Sequence, residues 1–136
     1  MPYIDSNVFI YPVIYQTETQ PKAKKAKETL FKIESGELSA YTSTLTWDEV
    51  VWVVSRVLGR HDGTNQGKKL LGFPNLEFIN VDEGILTQAQ TLIDKYKLSP
   101  RDAIHVASAL GRKIKTVISD DEDFDQVKEI IRTPLV

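Results

Sequence analysis

Tyr3-Ile4-Asp5-Ser6-Asn7-Val8, at the head of the chain, is a short apolar run that stops on an acid and two small polar residues. A buried strand that passes at once into a helix has this form. The apolar pair enters a sheet, and Asp5, Ser6 or Asn7 turns the chain or caps the helix. The motif recurs near the other end, where Thr116-Val117-Ile118 runs into Ser119-Asp120-Asp121-Glu122-Asp123-Phe124. Two strand ends that each deliver carboxylates are the feature on which the rest of the reading turns.

Between these strand ends the chain alternates between helical and extended patterns. Val8 to Tyr15 reads as a first helix, short or kinked because Pro12 lies inside it and an interior proline costs on the order of 3 kcal/mol. Pro21 opens a second, in which Ala23, Ala26, Leu30 and Ile33 form one apolar stripe among lysines and glutamates until Ser35-Gly36 ends it. Leu38 to Tyr41 reads as a strand and Thr44 to Leu58 as an apolar helix stopped by Gly59. The polar segment from Arg60 to Asn65 reads as a loop, followed by a short helix from Gln66 to Leu71 that stops before Pro74. Leu76 to Val81 is a strand, Asp82 to Tyr96 a helix, and Ser99-Pro100 starts another through Arg112. After the strand Thr116 to Ile118 come a short helix from Asp120 to Val127 and a last strand near Ile131. This alternation implies an α/β fold in which a parallel sheet of four or five strands carries helices on both faces.

Composition narrows the function classes. With 136 residues and 41% hydrophobic content, the chain suits one globular unit with a single sizeable core. It has no cysteine, which excludes thiolate metal sites and a disulfide framework and fits a reducing cytoplasm. No apolar run approaches the roughly 20 residues a membrane span needs, and no signal-like leader is visible, so a soluble, unprocessed protein is expected. The net charge of −2 and pI of about 5.7 give no global footprint for nucleic acid. Lys22, Lys24, Lys25 and Lys27 read as a solvated helix face in preference to a phosphate patch.

The acids that attract attention are Asp5, Glu49, Asp102 and Asp121, far apart in sequence. Taken singly, each has an ordinary explanation. Thr46 to Glu49 and Ser99 to Asp102 have capping-box spacing, as does Ser119 to Glu122, and an acid in a first helical turn is favoured by about 0.3–1 kcal/mol through the helix dipole. Asp5 suits a turn after a strand. Taken together, all four lie where a parallel sheet gathers its strand ends and helix starts. Crowded carboxylates repel one another and require a shared proton or a cation, and hard oxygen ligands without cysteine select Mg²⁺ or Mn²⁺ over zinc. Two such ions roughly 3.5–4 Å apart would serve phosphodiester hydrolysis.

These segments, with Asp102-Ala103-Ile104-His105-Val106-Ala107 and Ile118-Ser119-Asp120-Asp121-Glu122-Asp123-Phe124, make the chain resemble PIN-domain proteins over nearly its full length. The resemblance is strongest to the small VapC-type ribonuclease toxins of toxin–antitoxin pairs. It implies one PIN-like domain over residues 1–136, a Mg²⁺ or Mn²⁺ site and endoribonuclease activity on an RNA substrate. It further implies a small antitoxin protein as partner, received in a groove of the first helices, and a homodimer. Carried over by position, Asp5, Glu49, Asp102 and Asp121 become the catalytic, metal-holding acids. Ser119 and Asn7 support them, Asp123 lies at the rim, and Asp120 competes with Asp121 for the fourth place. Asp121 is preferred because it falls two residues after the hydroxyl.

Other residues have plainer readings. Arg101 is available to a substrate phosphate or to balance Asp102. His105 shares a helical face with Asp102 but reads as a partly buried helix residue with no role as general base, and His61 as exposed. Trp52, among valines, reads as core, whereas Tyr11 and Tyr15 suit a partner surface. Two other function classes compete. A phosphatase with a nucleophilic Asp5 is disfavoured because Asn7 stands where its second acid belongs. A PIN-like scaffold that binds RNA or protein without turnover is the alternative, and the retention of four acids weighs against it.

Overall fold

The computed structural model describes residues 1–136. Five strands, β1 (Tyr3–Ile4), β2 (Ala40–Ser43), β3 (Leu76–Ile79), β4 (Thr116–Ile118) and β5 (Ile131–Thr133), form one sheet in the order β3-β2-β1-β4-β5. Every pairing is parallel. Tyr3 stands beside both Tyr41 and Val117, which places the two-residue β1 at the centre. The chain first builds outward from β1 through β2 to β3, then returns to the opposite side for β4 and β5. The direction of winding therefore reverses between β1 and β4, and the crevice at the carboxyl ends of those strands is where such folds place ligands.

Six α-helices cover the sheet: α1 (Ser6–Ile14), α2 (Pro21–Glu34), α3 (Thr44–Leu58), α4 (Arg60–Leu71), α5 (Glu83–Lys95) and α6 (Pro100–Gly111). Alternation along the strands divides the core into two layers. Tyr3 and Val117 face Ala89, Leu92, Ala103 and Val106 of α5 and α6. Ile4 and Ile118 face Val8, Ile33, Val50 and Leu70 of α1 to α4. No helix is long and apolar enough to cross a membrane.

Several local readings are corrected. The Arg60–Asn65 segment is not a loop; it is the first half of the continuous helix α4. A single residue, Gly59, joins α3 to α4 at φ 101°, a backbone region that costs glycine nothing. Gly63 and Gly67 then lie against α3. A Cβ on Gly63 would stand 1.9 Å from Ser55 Oγ and 2.9 Å from the Val51 carbonyl oxygen, and one on Gly67 would stand 2.7 Å from Val51 Cγ2. The glycines that look like helix breakers are what allow the two helices to approach.

Trp52 is not core either: it is 53% exposed, with the Arg56 guanidinium 4.8 Å over its ring. The inner face of α3 is Thr46, Val50 and Val54, and a residue two places after Val50 points away from it. The expected Thr46–Glu49 capping box does not form, because α3 starts at Thr44 and the Thr46 hydroxyl lies 2.6 Å from Thr42 Oγ1 instead. Pro12 lies within the nine residues of α1, β2 runs two residues later than expected, and the Asp120–Val127 segment contains a 3-10 helix over Glu122–Gln126.

Candidate metal centre

Asp5 follows the last residue of β1 and serves as the N-cap of α1, accepting the Ser6 backbone N–H at 2.7 Å. It is 5% exposed. Its other oxygen accepts the Ser119 hydroxyl at 2.6 Å and the Asn7 amide at 3.2 Å. Asn7 also reaches Ser119 Oγ at 3.3 Å and accepts the Asp120 N–H at 3.4 Å, so the end of β1 and the end of β4 are tied side by side.

The loop after β4 separates the two neighbouring acids. Ser119 Oγ accepts the Asp121 N–H at 2.9 Å, and Asp121 Oδ1 caps the 3-10 helix through the Asp123 N–H at 2.9 Å. Arg132 braces the turn by donating to the Ser119 carbonyl at 3.1 Å and gripping both oxygens of Asp125 at 2.8 and 2.9 Å. Asp120 faces the other way. It accepts the Tyr11 hydroxyl at 2.7 Å and pairs with Lys22 at 2.9 Å. Although partial burial opposes its charge, those two hydrogen bonds hold its carboxyl below the usual range.

Two groups of ligand atoms result. The carboxylates of Asp102, Asp121 and Asp123 have oxygens within 4.8 Å of one another, and so do Asp5, Glu49 and His105 with its ring nitrogen. Asp102 enters from the first turn of α6, where the Ser99 hydroxyl accepts its N–H at 3.2 Å. That half of the capping box forms, but the Asp102 side chain turns to Asp121 instead of back to Ser99. Burial, then the neighbouring Asp121 and Asp5, push the Asp102 carboxyl up to about 7. Glu49 arrives from the second turn of α3 and is partly buried.

Among the residues singled out from sequence, Asp5, Asn7, Glu49, Asp102, Ser119, Asp121 and Asp123 all converge at the carboxyl end of the sheet. Arg101 is exposed on the turn beside Asp102. Sequence reasoning missed His105. It is 1% exposed, with Nε2 2.5 Å from Glu49 Oε1 and 3.4 Å from Asp5 Oδ1, and Nδ1 2.6 Å from the Tyr3 hydroxyl. Burial alone would lower its pKa, but Tyr3, Asp5 and Glu49 together hold it well above the usual value. Spacing shows only that Asp102 and His105 lie one turn apart on α6; the partners Tyr3, Asp5 and Glu49 come from distant parts of the chain.

An oxygen-rich cluster in which burial first, and then neighbouring carboxylates, hold one carboxyl protonated to about pH 7 is a site whose charge a divalent cation would balance. The donor set, five carboxylates with one imidazole nitrogen and no thiolate, fits a hard divalent cation such as Mg²⁺ or Mn²⁺.

Comparison with known proteins agrees with this architecture. The model of the PIN domain matches residues 3–130. Ribonuclease VapC2 of Methanocaldococcus jannaschii is 24% identical over 137 residues, spanning 92% of this chain and 87% of that protein. Among solved structures, the sarcin–ricin loop cleaving toxin VapC20 of Mycobacterium tuberculosis superposes with a TM-score of 0.74 at 15% identity, covering 94% of this chain and 95% of that one. VapBC2 of Rickettsia felis, bound to a DNA fragment from its promoter, gives 0.73 at 14% identity with 98% of each chain covered. At such identities the solved structures establish a shared fold.

Proposed function

The chain belongs to the PIN-domain family, and from that premise we propose that it is a Mg²⁺- or Mn²⁺-dependent endoribonuclease, the toxin of a toxin–antitoxin pair. The observation that carries the reading is the convergence of Asp5, Glu49, Asp102 and Asp121, from four separate parts of the chain, on the crevice where the sheet reverses its winding. These four acids would hold the metal, which would supply positive charge beside the scissile phosphate and lower the pKa of a bound water toward neutrality.

The chain's own residues prepare the site. Ser119 and Asn7 orient Asp5 by donating to the same carboxylate oxygen, so its other oxygen keeps a set direction. The turn braced by Arg132 presents Asp121 to Asp102 and keeps Asp120 outside. Asp123 lies at the exposed rim. Arg101, exposed in the first turn of α6 next to Asp102, would meet the RNA backbone as a local positive charge in a chain of net charge −2.

The partner reading rests on a second feature. A cavity of about 490 Å³ opens between α1, α2 and α4, with Phe9, Val13, Leu30 and Phe73 beside Lys27 and Lys69 in its lining. It suits an amphipathic antitoxin segment. Tyr15 belongs to this groove, whereas Tyr11 turns to Asp120. The likeness to VapBC2 of Rickettsia felis supports a partner, and a homodimer belongs to the same proposal.

The test is cleavage of a panel of structured and single-stranded RNAs with Mn²⁺, Mg²⁺ or EDTA, with wild type beside Asp5→Asn. Metal-dependent cleavage absent from the variant is the expected result. A panel left intact under all conditions, by a protein that also binds no Mn²⁺, would overturn the nuclease reading in favour of a binding scaffold. Light scattering gives the oligomeric state.

A further inference from the structure

His105 does not behave like a core histidine that merely fills space. It belongs to a chain of four hydrogen-bonded side chains, each from a different element: Ser43 at the end of β2, Tyr3 of β1, His105 of α6 and Glu49 of α3. Tyr3 Oη lies 2.9 Å from Ser43 Oγ and 2.6 Å from His105 Nδ1, and His105 Nε2 lies 2.5 Å from Glu49 Oε1. Tyr3 and Ser43 are fully buried and His105 is 1% exposed. No buried side-chain nitrogen or oxygen lacks a partner.

The direction of the bonds follows from which atoms carry hydrogen. An ionised carboxylate only accepts, so Nε2 of His105 carries the hydrogen that joins it to Glu49. Nδ1 then either accepts from the Tyr3 hydroxyl or donates to it. Ser43 serves as the second partner of Tyr3 in both cases, so the chain is complete whichever holds. The imidazole cannot flip without breaking a bond at each nitrogen. Its ring is also held by an edge contact with Tyr3, with centroids 5.6 Å apart and planes at 65°.

From this geometry, and resting on the metal-dependent reading above, we infer that His105 and Tyr3 are positioning residues for the metal site. They hold Glu49 through Oε1, so that the carboxylate has one set orientation toward a cation. The consequence is specific. The Glu49 side chain, otherwise free to swing on a partly exposed helix face, is set before an ion arrives. Asp5 Oδ1, 3.4 Å from the same Nε2, is steered by the same group. Ligands oriented by an outer hydrogen-bond partner typically lose about 10- to 100-fold in metal affinity when that partner is removed.

The experiment measures Mn²⁺ affinity directly, from the electron paramagnetic resonance signal of the free ion, in wild type, His105→Leu, His105→Gln and Tyr3→Phe. Thermal melting in EDTA checks that each variant is folded. Leucine fills the volume but cannot donate, and is expected to weaken Mn²⁺ binding about 10- to 100-fold. Glutamine returns an N–H near the position of Nε2 and is expected to recover most of the loss, which a role in packing alone would not produce. Tyr3→Phe removes one oxygen from an otherwise unchanged core and answers the question if His105→Leu does not fold. A loss toward the lower end, about 10-fold, is expected for it. Binding by wild type with Tyr3→Phe and the folded His105 variants all within about threefold of it, outside that range, would overturn the positioning role and leave the metal centre standing. Failure of wild type itself to bind Mn²⁺ would overturn the metal reading and this inference with it.

Discussion

The contrast between Asp120 and Asp121 shows how much one residue of register decides at this site. Both are acids at the end of the same strand, yet one caps the following turn and meets Asp102 while the other is neutralised by Lys22 and Tyr11 on the far side. Exchanging each for asparagine separates the two roles. Asp121→Asn is expected to reduce metal-dependent RNA cleavage by at least about 100-fold, the scale seen when a metal site loses a ligand or its support. Asp120→Asn, remote from the metal, should remain within about twofold, as a substitution away from the machinery worth no more than ~0.5 kcal/mol would. Equal losses in both would refute the assignment. The preference for Asp121 comes from the PIN-domain resemblance, whose spacing puts an acid two residues after the hydroxyl of Ser119. The position of His105 in its hydrogen-bonded chain could not be read from sequence, because its partners Tyr3 and Glu49 lie 102 and 56 positions away and only the packed sheet brings them within reach.

Among the elements, α3 and α4 carry the clearest lesson about local and non-local forces. Glycine is about 1 kcal/mol worse than alanine inside a helix, and a polar stretch holding Gly63 therefore reads as a loop. The packed structure reverses that preference, because Gly63 and Gly67 allow α4 to lie against Val51 and Ser55 of α3. Gly63→Ala should accordingly destabilise the protein although it improves the local propensity. Overpacking costs about 1–3 kcal/mol against a gain of about 1, so a net loss of up to about 2 kcal/mol is expected in urea unfolding, toward the upper end because the Cβ would also meet the Val51 carbonyl. An unchanged or raised midpoint would show that the helices separate freely. The same reasoning explains Trp52, whose valine neighbours in sequence suggested a core that the 3.6-residue period of α3 places on the other side.

For the molecule as a whole, the carboxylate cluster links folding to pH and to metal. In the metal-free protein Asp102 is raised from 3.8 to about 7, so the folded state binds its proton more tightly than the unfolded chain does. That contribution is complete below about pH 4 and is lost as pH rises through about 7. His105, also held above its usual value, acts with the same sign. The melting temperature in EDTA is therefore expected to fall between pH 5 and 8, and to fall less in Asp102→Asn. A rise over that window in wild type would contradict the carboxylate crowding. Mn²⁺ at about 100 times its dissociation constant should add ~2.7 kcal/mol at neutral pH, a shift of several degrees that EDTA reverses. What the sequence alone determined was the α/β alternation, the parallel sheet and the list of acids at strand ends and helix starts. Those depend on periodicity, caps and breakers within a few residues of one another. What only the tertiary structure decided was the central place of β1, the close α3–α4 contact, the outward turn of Asp120 and the buried chain from Ser43 to Glu49. Each of these is a contact between segments distant in sequence, and its energy exists only once the sheet has brought them together.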